Sequence, residues 1–69
     1  MNKTSVGRIV HFQNVIEGSV DAAIVTAVHA DGYTVDLTIF GPGDTRYGHA
    51  IKFDDVQKRP GTWHWPERT

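Results

Sequence analysis

Near the middle of the chain, Asp31-Gly32 stands between two runs rich in β-branched and apolar residues, AAIVTAV before it and YTVDLTIF after it. An Asp-Gly pair between alternating hydrophobics is a strong local hairpin signal, because a two-residue type I′ turn needs positive φ at both central positions. Such a loop fixes the pairing of the flanking strands. Val28 then faces Val35, Thr26 faces Leu37, and Ile24 faces Ile39, all on one side of the sheet. His29 with Thr34, Ala27 with Asp36, and Val25 with Thr38 fall on the other side. The first set reads as core and the second as an outer face.

The following turn, FGPGDTRY, must keep Tyr33, Val35, Leu37 and Ile39 facing inward. Their inward partners on the next strand are Tyr47, His49, Ile51 and Phe53, which requires a five-residue loop, Gly41 to Thr45. A four-residue loop would place Arg46 opposite Ile39, with the desolvation cost of a charge in the core.

No stretch holds a helical period for three turns, so short strands with turns between them dominate the reading. Strands are expected over 6–11, 20–29, 33–40, 46–53 and 62–65. A long loop covers 12–20, and one 3₁₀ turn falls around Asp54 to Gln57. This order predicts an all-β fold: a small SH3-like five-stranded barrel, or an open antiparallel sheet, in a single domain over 1–69.

Sixty-nine residues make a small core. A chain of this length buries only about 60% of its unfolded surface, so outside help is expected. Without cysteines, disulfides are excluded and a structural zinc site is disfavoured. Oligomerisation, or docking on a larger assembly, is the helper left. Seven Lys/Arg against eight Asp/Glu argue against general nucleic-acid binding, which draws on a basic excess. No apolar run reaches the length of a membrane span and no signal-peptide core follows Met1, so a cytosolic, membrane-free protein is expected.

Catalytic patterns are absent from the sequence. The four histidines, 11, 29, 49 and 64, form no pair with metal-ligand spacing, and His49 reads as a hydrogen-bonded core residue. Asp54-Asp55 fits turn capping better than acid–base work. Ser5 and Ser19 lack a local base, and GPGD lacks the helix that would make it a phosphate site. We therefore expect no enzyme, metal or cofactor. The outer face carries Ala23, Val25, Ala27, Phe40, Gly48 and Ala50, with Arg46 and Lys52 beside them; Phe40 and Arg46 would meet as a cation–π pair. A face so small and apolar fits a protein–protein contact.

The last ten residues, PGTWHWPERT, crowd two tryptophans and a histidine together. On a strand, Trp63 and Trp65 share one face and His64 lies on the other. Three roles fit: completion of the core, a pocket gripping a planar nucleotide-like ligand, or an anchor for a partner.

The opening VGRIVHF, the middle AAIVTAV and the closing FDDVQKRPGTWHWPE together resemble short bacteriophage-encoded proteins that pair a GRIVHY-like start with a GTWHWPE-like end. The resemblance implies a phage origin and a compact β fold, and assigns no catalytic residues. Two roles follow. One is an oligomeric or virion-docked accessory protein: a head-decoration, connector or tail component. The other is a counter-defence protein that sequesters a nucleotide-derived signal between subunits, drawing on Arg8, Arg46, Lys52, Lys58 and Arg59. Either would act in the host cytoplasm or as part of the virion.

Overall fold

The computed structural model describes residues 4–14 and 19–66. Five strands, β1 (Ile9–Gln13), β2 (Val20–Val28), β3 (Val35–Phe40), β4 (Thr45–Phe53) and β5 (Thr62–His64), close into a barrel in chain order. It is a small SH3-like barrel of mixed type. β1 to β4 pair antiparallel in sequence; β5 closes the ring, antiparallel to β1 and parallel to β4. Val10, Phe12, Ala23, Val25, Val35, Leu37, Ile39 and Trp63 form the core, with Val28, Ile51, Phe53 and Trp65 packed against it.

The Asp31-Gly32 hairpin forms, with a wider loop than two residues. The His29 amide donates to Thr34 O, and Ala30 to Tyr33 make a four-residue connection. Only Gly32 has positive φ there, at 80°. The Asp31 carboxylate accepts from the amides of Tyr33 (2.9 Å) and Thr34 (2.7 Å) and from the Thr34 hydroxyl (2.7 Å). A side chain that satisfies those donors makes the tighter turn unnecessary.

Beyond the turn the predicted register holds for two pairs, Val28–Val35 and Ala27–Asp36, and then shifts by one: Val25 faces Leu37 and Ala23 faces Ile39. A β-bulge at Thr26–Ala27 causes the shift, and an extra residue moves every later side chain to the opposite face. Val25 and Ala23, expected outside, are therefore core residues at 1% exposure. Ile24 and Thr26 turn outward.

β4 repeats the device. Its loop has four residues, Gly41 to Asp44, and Arg46 does lie opposite Ile39. The cost that argued against this loop is offset at the barrel mouth. Arg46 Nη2 donates to Asp21 Oδ2 at 2.6 Å, Asn14 Nδ2 donates to the same oxygen at 2.9 Å, and Asp44 lies 3.5 Å from Arg46 Nε. A cation placed between two carboxylates, hydrogen-bonded to Asp21 and with its stem toward the core, avoids the isolated buried charge. A second bulge, at His49–Ala50, then restores the predicted Val35–Ile51 pairing. Tyr47 and His49 consequently point outward, while Ile51 and Phe53 face in. Gly48 sits on the inner side just before the bulge, where a Cβ would lie 3.0 Å from the Ile51 side chain; glycine is what fits there.

The segment after β4 is a turn over Asp55 to Gln57 rather than a 3₁₀ helix. The Asp54 side chain organises it, accepting from the amides of Gln57 (3.0 Å) and Arg59 (3.3 Å) and from Arg59 Nε (2.5 Å). β1 also runs two residues further than expected, to Gln13, and begins after a turn in which Gly7 has φ 92°. Residues 15–18, in the expected long loop, lie outside the described residues.

Candidate functional site

The two bulges decide which side chains the outer face presents. With β2 shifted, strand pairing aligns Ile9, Ile24, Thr38 and Tyr47 in one row across β1, β2, β3 and β4. The neighbouring row is His11, Ala22, Phe40 and Thr45. Ile9 is 62% exposed, Tyr47 82% and Phe40 44%. Single exposed apolar residues are ordinary, but contiguous large ones across four strands form a patch of the kind that marks contact surfaces. An apolar outer face was expected from the sequence; its membership is different.

Both bulges lie opposite the same residue, Asp36, the second residue of β3. Its Oδ1 accepts from the Ala50 amide at 2.9 Å and is 2.9 Å from His29 Nε2 and 3.0 Å from His49 Nδ1. The Thr26 hydroxyl donates to the Asp36 carbonyl at 3.2 Å. The Ala50 amide and then the His29 hydrogen bond hold the Asp36 carboxyl down, from its ordinary 3.8 to about 2, so it is anionic at any physiological pH. Ala50 itself has φ 54°, in the left-handed region that costs a non-glycine residue about 1–2 kcal/mol. His29, Asp36 and His49 bring their ligand-type atoms within 4.8 Å of one another, the one such group of three among the described residues. No local spacing betrays it, because the three residues come from β3, β4 and the position just after β2. His29 and Asp36 share the outer face in the expected register, and the second bulge brings His49 to them.

The residues singled out from sequence are scattered by the same geometry. Val25 and Trp63 are core, at 1% and 0% exposure. Trp63 Nε1 donates to Tyr33 O at 2.6 Å, and its ring packs on Phe53 and, edge to face, on Trp65. His64 is fully buried on the other side of β5, 5.5 Å from the His11 ring. Trp65 is half-buried beneath the Arg8 guanidinium, which lies 5.1 Å above its ring. Arg46 is held at the barrel mouth and does not stack on Phe40, whose strand partner is Thr45. Ala27 lies in the first bulge, and Lys52 is exposed beside Thr62. Trp63, His64 and Trp65 thus do not line one pocket; the tail completes the core and closes the barrel. His49, expected in the core, has a side chain 80% exposed. Ile9, Ile24, Tyr47 and the His29–Asp36–His49 group are the site residues that sequence reasoning missed.

No known protein family, curated protein or solved structure matches this chain.

Proposed function

We propose that this chain is a non-enzymatic interaction module, an accessory protein of the bacteriophage type its sequence resembles, that assembles with copies of itself through the outer face of β1 to β4. The observation that carries this reading is the row Ile9–Ile24–Thr38–Tyr47, flanked by Phe40, on the solvent side of a barrel whose inner side is already packed. A small domain without disulfides gains stability by covering such a face. An outer face on one rigid sheet also suits a two-fold contact, in which the same patch serves both partners.

The alternative, capture of a phosphorylated nucleotide signal, draws less support. It needs free cations, and most of the candidates are engaged within the chain: Arg46 on Asp21, Arg59 on Asp54, Arg8 over Trp65, and Lys58 on the Asp55 carbonyl.

Size-exclusion chromatography with light scattering tests the proposal. The wild type should elute as an oligomer, and Tyr47→Lys should elute as a monomer. Tyr47 is exposed enough that this change leaves the fold intact, which circular dichroism will verify. A monomeric wild type at the highest soluble concentration, or an unchanged oligomer in Tyr47→Lys, contradicts assembly through this face.

A further inference from the structure

The two bulges opposite Asp36 leave an arrangement that the proposed assembly does not require. We propose that His29, Asp36 and His49 form a surface site for a divalent transition ion, with zinc the reference case, bound through His29 Nε2, His49 Nδ1 and the Asp36 carboxylate.

Four observations converge on this. First, the donor set is two imidazoles and one carboxylate, which suits zinc, cobalt, nickel, copper or ferrous iron; magnesium and calcium prefer all-oxygen shells. Second, the spacing is close to that of a coordination polyhedron. Ligand atoms about 2.0–2.2 Å from a common ion stand roughly 3 Å from one another. Both nitrogen–oxygen edges already have this length, at 2.9 and 3.0 Å. The nitrogen–nitrogen edge is within 4.8 Å, and a rotation of the exposed His49 ring shortens it.

Third, the carboxylate is pre-positioned. The Ala50 amide donates to Asp36 Oδ1, which is the outer-shell support that orients metal-ligating carboxylates. That amide is directed there by a backbone conformation unfavourable for alanine, φ 54°. Strained backbone of this kind concentrates at functional positions. Fourth, three nitrogens crowd one oxygen: the Ala50 amide and the two facing ring nitrogens all lie within 3.0 Å of Oδ1. A divalent ion would take the lone pairs of the two facing nitrogens, each neutral ring keeping its proton on its other nitrogen, and would compensate the carboxylate charge. Three protein ligands on an exposed surface leave at least one position open to water.

The site lies on the same sheet face as Tyr47, two residues along β4 from His49, but its chemistry stands apart from the assembly reading. The tests are accordingly independent, since zinc binding is read on the chain in whatever oligomeric state it adopts.

The experiment titrates zinc chloride into chelator-treated protein by calorimetry. Native mass spectrometry supplies the stoichiometry, and long-range ¹H–¹⁵N spectra report on the histidine rings. One ion per chain is expected, with shifts at His29 Nε2 and His49 Nδ1 and none at His11 or His64. His49→Gln, His29→Gln and Asp36→Asn should each weaken binding by about tenfold or more. Asp36→Asn retains an acceptor for the Ala50 amide, so it removes the charge while sparing the bulge. His49→Gln changes an exposed side chain and should fold as the parent does. Absence of zinc binding, equal affinity in His49→Gln, or ring shifts confined to His11 and His64 would overturn the proposal.

Discussion

Trp63 and Trp65 differ by two positions and by most of their energetic weight. Trp63 is wholly enclosed, packs in the core against Phe53, and has its indole N–H hydrogen-bonded to Tyr33 O. Trp65 presents one face to Arg8 and is only partly buried. Truncating a buried tryptophan typically costs about 3–5 kcal/mol, a large share of the stability of so small a domain. Trp63→Ala should therefore unfold the protein or leave it molten. Trp65→Ala should stay folded with a smaller loss, because its ring is only partly buried against the core and its cation–π contact with Arg8 is worth only about 0.5–1 kcal/mol. Thermal denaturation of the two variants checks this, and equal losses would mean that the tail is seated differently.

Turns carry the acid sensitivity of the elements they connect. Asp54 organises the turn between β4 and β5, and the Arg59 hydrogen bond above all holds its carboxyl near 2, down from 3.8. Asp31 does the same for the β2–β3 loop, held to about 2 by the Thr34 amide first and then the Thr34 hydroxyl. A carboxyl depressed in the folded state binds fewer protons than in the unfolded chain. Its contribution is thus complete above the ordinary carboxylate pKa and is lost as pH falls through the folded value. The melting temperature should drop as pH is lowered from about 4 to about 2, and Asp54→Asn should flatten that part of the profile. A wild-type profile level across this window would contradict the role of these caps. The strands themselves were legible in the sequence: their number, order and approximate bounds follow from β-branched runs and turn residues. The faces were legible only on the Asp31-Gly32 side of the two bulges. Val28–Val35 and Val35–Ile51 are paired as expected, whereas Ala23, Val25, Tyr47 and His49 lie on the opposite sides from those inferred. Alternation carries no record of a single inserted residue, and neither bulge is marked by a glycine. The Asp21–Arg46 pair was hidden for a different reason. Burial cost alone argues against Arg46 near the core, and its counter-charge comes from a residue 25 positions away.

On the scale of the whole molecule, the barrel has an inner side completed by its own last strand and an outer side left apolar. Closing the ring with β5 explains why the tryptophans sit so near the end of the sequence, and it removes the free sheet edges that would otherwise invite strand addition. What remains for contact is the outer face, with Ile9 and Tyr47 at its two margins and the His29–Asp36–His49 group at one end. The most direct measurement is the accessibility of methyl groups to a soluble paramagnetic probe, followed by NMR as protein concentration rises. In dilute protein the Ile9 methyls should broaden strongly while those of Val25 stay sharp, and on concentration Ile9 and Ile24 should become protected. Val56, 88% exposed on the turn away from this row, should remain accessible throughout. Ile9 methyls that stay as accessible as those of Val56 at every concentration, or Val25 methyls broadened in dilute protein, would contradict the assignment of these faces and the function drawn from it.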